Sequence, residues 1–412
     1  MIEIKNKSDL LNKSLFLFGA GATREAGCYT SREILNNLLE NENFRDFKDL
    51  LHFLFSSLEY HTKWRTLKQK ERGLFITPFV SNIEDLVLLI KRIKNRDIYL
   101  PYPITGSWSD KISEFESQWQ KNNNSSTLDN IFQSLETQIK NELYSWLVVG
   151  KEKFDYLTPL KDFLEYGDNK EINLDIFTLN YDLVLEKFFN NNDVTLLNNG
   201  FYNKFFRGHN DAKFAATRIN YYKLHGSIDW AKNEDNEIEL INDIDIKNNL
   251  NKSLIIFGEG NKFLSVDPFL TLSYAFKEKL EESDFYFVIG YSFFDSYINN
   301  LLLEGLRKKS DFNKKLIVVS PFLEKEFLTF EELKFPSDKK EQLLKNKFID
   351  HIKQIQQNEY LSDIPEFNMT EISPTKIHIQ LQETGQFFQF LFKENGLEYF
   401  KDLFNKDVET VF

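Results

Sequence analysis

The sequence predicts an α/β protein: a Rossmann-like parallel sheet with a mostly helical insertion and a C-terminal α/β or helical extension. Three observations predict it. Short apolar runs recur and end in turn residues, at 14–18 (SLFLF), 172–178 (INLDIFT), 221–225 (YYKLH), 253–257 (SLIIF), 285–289 (FYFVI) and 315–319 (KLIVV). Near-continuous apolarity over so few residues suits strands covered on both faces, as in a parallel sheet. Helical periods separate several of these runs, and alternating strands and helices build a layered α/β fold.

Taken in order, 14–18 is the first strand and runs into FGAGATREAG at 18–27. Residues from about 40 to 150 read as helices. Ser81 and Glu84 form a capping box ahead of Ile83, Leu86, Val87 and Ile90, and Ser126 and Asp129 frame a second start with Leu128, Ile131, Leu135, Ile139 and Leu143 as its stripe. The polar run 121–126 (KNNNSS) is a loop between them. After 285–289, Ser292 and Asp295 resemble a capping box, and Ile298, Leu301, Leu302 and Leu306 make an apolar stripe. The tail from about 326 opens with an amphipathic helix carrying Leu344, Phe348, Ile352 and Ile355. Beyond Pro374, KIHIQLQ alternates like an edge strand, and the Phe-rich end fits no single element. The organisation is a first domain over 1–325, interrupted by the insertion, and an extension over 326–412.

Composition narrows the function. With 412 residues, 42% hydrophobic and 28% charged, the chain can bury a sizeable core, much of it aromatic given 41 Phe. A net charge of -12 argues against a surface given over to nucleic acid. Cys28 is the only cysteine, which excludes a disulfide framework within this chain and any Cys₃ or Cys₄ zinc site. Apolar stretches such as 285–294 fall far short of the ~20 residues of a membrane span. Segment 15–28 superficially resembles an export signal, but Arg24 and Glu25 sit where small or apolar residues are needed. It reads as a buried strand and a turn, and the expected location is cytoplasmic.

Chemistry-bearing residues gather at the ends of the predicted strands. Gly19 and Gly21 would let the backbone turn tightly and bring amides close to a pyrophosphate, yet Arg24 replaces the third glycine of G-x-G-x-x-G and no acidic ribose ligand follows. The segment reads either as a phosphate loop or as a glycine turn that ends a strand. In TLNYD at 178–182, Asn180 can hold a water or a hydroxyl and Asp182 adds a charge, though both residue types also make turns and caps. In LHGS at 224–227, His225 has a pKa class suited to moving a proton, and no second His or Cys stands at ligand spacing. In IGYSFFD at 289–295, Gly290 and Ser292 open a helix, an anion site that capping explains equally well. Ser320 follows the last predicted sheet strand. If the strands are parallel, all of these face one crevice.

The ordered set GAGAT (19–23), TLNYD (178–182), LHGSIDW (224–230) and IGYSFFD (289–295) resembles the sirtuin-like family, in particular its prokaryotic defence-associated branch. The resemblance spans about 14–322 and implies a sheet that binds NAD+ in its crevice. By it, Gly19, Ala20, Gly21 and Thr23 match the phosphate-binding loop, Asn180 and Asp182 match the T-x-N-x-D motif, and His225 matches the catalytic histidine. Gly290, Ser292, Asp295 and Ser320 are the remaining candidates for cofactor contact. The chain departs from sirtuin deacylases in lacking a four-cysteine zinc module, in reading Tyr-Thr-Ser-Arg at 29–32, and in carrying Leu179 and Tyr181 within the second motif. Those departures are shared by NAD+ hydrolases used against phage. The resemblance therefore implies cleavage of NAD+ to nicotinamide and ADP-ribose without zinc, a homo-oligomer, and a translocase-type ATPase partner for some members. The residues themselves show no nucleic-acid module, and no membrane association is expected. ADP-ribosyl transfer, zinc-free deacylation and a non-catalytic NAD or ADP-ribose sensor are the alternatives. A dehydrogenase stands further off because the fingerprint glycine is missing.

Overall fold

The computed structural model describes residues 6–71, 82–95, 107–123, 131–147, 153–165, 172–191, 197–209, 217–242, 253–255, 267–307, 314–357 and 376–409. Its strands, in chain order, are β1 (Ser14–Phe18), β2 (Leu174–Thr178), β3 (Leu197–Asn198), β4 (Phe201–Tyr202), β5 (Phe205–Phe206) and β6 (Ile219–Lys223). They continue with β7 (Gly226–Lys232), β8 (Ile238–Leu240), β9 (Ser253–Ile255), β10 (Phe285–Ile289), β11 (Lys315–Val319) and β12 (Ile377–Gln380). Among the described residues, seven strands form one sheet in the order β12-β11-β10-β1-β2-β6-β3. Every neighbouring pair in it is parallel.

The alternation of side chains along the strands divides the core in two. On one face Phe16, Phe18, Ile176, Phe287 and Ile317 pack with Leu157, Val184, Phe387 and Phe400. On the other Leu15, Leu17, Phe177, Val288 and Leu316 pack with Leu272, Phe276, Leu302 and Phe348. Helices thus cover both faces, which is why β1, β10 and β11 are buried at every position and why their sequences do not alternate. The extension expected at 326–412 is continuous with this core. β12 is the edge strand beside β11, and the Phe-rich end forms helices over Phe16 and Phe287.

The helical insertion has a core of its own, built on Leu38, Leu86, Ile90, Phe132, Leu135 and Ile139. Tyr181, Leu183 and Ile228 join this core from the sheet side. Three details differ from the sequence reading. The helix Ile83–Lys94 is capped by Asn82 with Asp85 as the reciprocal partner, one residue later than the Ser81/Glu84 box; Ser81 lies outside the described residues. Asn is as good a cap as Ser, and its Oδ1 accepts from the Glu84 and Asp85 amides. Lys121–Asn123, placed in a loop, end the helix Ser107–Asn123, while 124–130, with Ser126, Leu128 and Asp129, lie outside the described residues.

The third difference concerns 253–257. Ser253–Ile255 pairs antiparallel with β7 in a second sheet of order β4-β5-β8-β7-β9, and 256–257 lie outside the described residues. Leu254 and Ile255 are half-buried, so this run lacks the two-sided cover of a central parallel strand.

The chain moves from β1 to β2 on one side and later returns to β10 on the other side of β1. The strand order therefore reverses between β1 and β10. In open α/β sheets such a reversal opens a crevice at the carboxyl ends of the strands, where ligands bind.

Candidate active site

The parallel register brings the carboxyl ends level: Phe18 stands beside Thr178 and Ile289, Thr178 beside Lys223, and Ile289 beside Val319. Every motif singled out in the sequence therefore leaves the same edge of the sheet.

The two loops flanking the reversal touch through glycines. A Cβ on Gly290, whose φ is +62°, would lie 2.2 Å from the Ala22 amide nitrogen, and one on Gly19 would lie 2.5 Å from Tyr291 Cα. These residues are glycine because backbone meets backbone here. The Gly19 amide donates to Ile289 O and the Gly21 amide to Gly290 O, both at 2.9 Å, and the Ala22 amide donates to Gly19 O. Those amides build the loop itself, which the spacing alone could not reveal. Tyr156 adds a hydroxyl bond to Ala22 O at 3.2 Å.

The β2 loop locks onto the β1 loop. Asn180 Nδ2 donates to Gly19 O at 3.0 Å and to Thr23 Oγ1 at 3.2 Å, which fixes the amide orientation and leaves Oδ1 as its acceptor. Thr23 Oγ1 donates to Asp182 Oδ2 at 2.8 Å, and Asp182 Oδ1 accepts from the Val184 amide at 3.0 Å. Both oxygens of Asp182 are thus engaged, Oδ2 with Thr23 and Oδ1 at the start of the helix Val184–Asn191. Burial pushes its carboxyl above the usual range, opposed by the nearby Lys223 ammonium.

Lys223, which the sequence reading passed over, lies at the end of β6 and is buried. Its ammonium donates to the Asp182 carbonyl and pairs with Glu186 Oε1 at 2.8 Å. Burial pushes Glu186 up to about 7, partly offset by Lys223 and reinforced by Asp229. A lysine inside the apolar run YYKLH was the available signal, since a buried ammonium requires partners. Cys28 sits beside this network, and burial together with the Asp182 charge drives its thiol far above the ordinary range. That keeps it protonated and unsuited to nucleophilic attack.

His225 occupies the turn between β6 and β7. Gly226 follows at φ +83°, where a Cβ would lie 2.1 Å from Leu254 O, and it redirects the chain from the first sheet to the second. His225 Nε2 stands 3.3 Å from Asp295 Oδ2, with side chains only 5% and 7% exposed. Asp295 Oδ1 accepts from the Tyr297 and Ile298 amides at 3.0 and 3.2 Å, so Asp295 itself caps the helix Ser296–Arg307. The Ser292/Asp295 box gives way to this cap; Ser292 is exposed, and its backbone bonds to His351. Ser320 closes a turn, its hydroxyl accepting from the Phe322 amide at 3.4 Å. The structure therefore joins Gly19, Gly21, Thr23, Asn180, Asp182 and Gly290 in one network and pairs His225 with Asp295. It leaves Ser292 and Ser320 at the rim.

Among the described residues, no three His, Cys, Asp or Glu side chains gather as a metal site. Among the same residues, no helix is long and apolar enough to cross a membrane.

A family model described as a SIR2-like domain matches residues 175–352. That span starts within β2 and ends in the helix Ser337–Gln357, taking in Asn180, His225 and Asp295 while leaving β1 and its glycine loop outside. A solved structure of Sir2 in complex with the inhibitor EX-527, 2'-O-acetyl-ADP-ribose and a deacetylated p53 peptide is similar at 13% identity and a TM-score of 0.30, over 94% of this chain and 97% of that one. No curated protein matches the sequence.

Proposed function

We propose that the protein hydrolyses NAD+ at the nicotinamide–ribose bond, giving nicotinamide and ADP-ribose, and that this loss of NAD+ serves anti-phage defence in the cytoplasm. The observation that carries the reading is the shared edge. Asn180, pinned with one acceptor left, and His225 stand at the carboxyl ends of neighbouring strands beside the strand-order reversal, inside the span that matches the SIR2-like model.

Cleavage of that bond develops positive charge on the anomeric carbon, as in glycoside hydrolysis. Water must then be delivered to one face while bulk solvent stays out. Asn180 Oδ1 orients that water, since Nδ2 is committed to Gly19 and Thr23. His225 acts as the base on the water or on a ribose hydroxyl. Gly19, Ala20, Gly21 and Thr23, with Gly290, line the pyrophosphate, and Ser292 and Ser320 contact it from the rim. Asp182, with Lys223 behind it, keeps the Asn180 loop in register. The helical insertion and the extension supply contacts to further copies of the chain and to an ATPase-type partner.

Mass spectrometry of purified protein incubated with NAD+ tests the reading. Equal release of nicotinamide and ADP-ribose, lost in Asn180→Ala and His225→Ala, is the expected result. ADP-ribose attached to protein would make it a transferase. NAD+ bound but intact, alone and with a partner, would make it a sensor.

A further inference from the structure

We infer that Asp295 is a positioning residue for His225: its carboxylate faces Nε2, favours the proton on that nitrogen and thereby puts the lone pair on Nδ1, the nitrogen that takes the proton. The inference rests on the reading of His225 as the base.

Asp295 is fixed from several sides. Its Oδ1 is committed to two helix amides, Tyr297 and Ile298, so the carboxylate cannot rotate without uncapping the helix. The loop before it is braced as well. The Tyr291 hydroxyl lies 3.0 Å from both the Asp295 carbonyl and Asn299 Oδ1, and Asn299 Nδ2 donates to Phe293 O at 2.7 Å. Phe293 is held at φ +58°, a conformation that non-glycine residues seldom adopt without surrounding support. The second oxygen, Oδ2, is consequently held 3.3 Å from His225 Nε2, an electrostatic approach outside hydrogen-bond geometry, with both side chains buried. An ionised carboxylate accepts hydrogen bonds and donates none, so the ring nitrogen facing it carries the proton. A carboxylate behind a histidine fixes its tautomer and orientation and favours the imidazolium that forms when it accepts a proton. Capping alone would need only one of the two oxygens.

The same geometry yields a substitution that separates the two duties. In Asp295→Asn the cap still demands an acceptor at the Oδ1 position, and Asn supplies its carbonyl there. The amide nitrogen is then forced into the Oδ2 position, where it donates towards Nε2, so the ring proton must move to Nδ1. The helix stays capped and the tautomer inverts.

The experiment labels the six histidines of the full chain with ¹⁵N and records ring nitrogen shifts near pH 8, where histidine is neutral, assigning the signal with His225→Gln. The expected result is Nε2–H in the wild type, Nδ1–H in Asp295→Asn, and equal melting temperatures within about 2 °C, as a preserved cap predicts. NAD+ turnover by the variant should fall by roughly 10²–10⁴-fold, the scale on which a wrong tautomer acts. Identical ring shifts in the two proteins, or an Nδ1–H wild type, would overturn the inference. That readout requires no turnover, so an inactive wild type would count against the hydrolase and leave the decision on Asp295 intact. Inverted shifts with unchanged turnover would also overturn it, because the orientation would then be without effect on the chemistry.

Discussion

Halfway along the parallel sheet, Phe16 and Phe287 stack with ring centroids 5.0 Å apart, and Phe285, Phe387 and Phe400 pack against them. At the carboxyl edge of the same sheet, Thr23, Asn180, Asp182, Lys223 and His225, with Glu186 from the helix Val184–Asn191, are buried almost as deeply and are all polar or charged. The two regions belong to the same sheet and obey different rules. Apolar burial in the interior stabilises the fold at about 25 cal/mol per Å² without needing a particular partner. The edge holds charges whose desolvation roughly cancels their attraction, so its pairs contribute geometry more than stability. The difference teaches that a mutation in one region should be read as stability and in the other as chemistry.

The sharpest separation comes from Asn180→Ala and His225→Ala. Each removes a polar group from the edge and leaves the apolar clusters untouched, so turnover should fall by about 10³-fold or more, as when a positioned acid–base group is lost. Melting temperature should move by only a few degrees. A differential scan beside the NAD+ assay checks both, and a collapse of the fold in either variant would break the comparison.

Phe287→Ala should do the reverse. It opens a cavity in the interior and should destabilise by about 3–5 kcal/mol. At a temperature where the variant is folded, its turnover should approach that of the wild type. Denaturant titration gives the first quantity and the NAD+ assay at low temperature the second.

The two regions were also unequally legible. The interior strands could be read closely because two-sided burial demands unbroken apolar runs: 14–18, 285–289 and 315–319 coincide with β1, β10 and β11. The second sheet was mostly invisible. β9 looked like a core strand, and the β4–β5 hairpin turns on Asn203 and Lys204 at φ +47° and +65°, where Lys is not a residue that announces such a turn. At the edge, residue types and strand ends marked Asn180, Asp182 and His225, whereas their partners depend on strand order. Nothing local in LHGS says that Asp295 will stand opposite His225, because that contact exists only once β10 has returned to the far side of β1. The fates of the loop amides and of Lys223 were hidden for the same reason.

Lys223→Met tests whether the edge network is merely structural. Leaving Glu186 without its ammonium should destabilise the protein increasingly as pH rises above about 7, since the carboxyl can then stay buried only as the neutral acid, and adding Glu186→Leu should recover most of it. Recovery of stability without recovery of turnover would show that the Asp182 carbonyl needs the lysine for placement. Recovery of both would reduce the pair to packing and bring the edge closer to the interior.

The smallest effect is the most discriminating in sign. Glu186 is pushed up to about 7 by burial, so the folded state holds its proton more tightly than the unfolded state, whose carboxyl titrates near 4.5. Its contribution to stability is fully present below 4.5 and is lost as pH rises through about 7. His209, His351 and His378, away from this network, are pulled down to about 4 by burial, against 6.5 when unfolded. Their contribution is present above 6.5 and is lost as pH falls towards 4. The edge carboxyl and the buried histidines therefore slope in opposite directions. Melting temperatures of the wild type, Glu186→Gln and His351→Phe at pH 5, 6, 7 and 8 read this directly. Glu186→Gln should gain on the wild type as pH rises. His351→Phe keeps a ring against Phe294 and Phe327 and should gain as pH falls. Differences that stay constant across the range would mean that burial does not set these ionisations, and the edge would lose its claim to a separate electrostatic character.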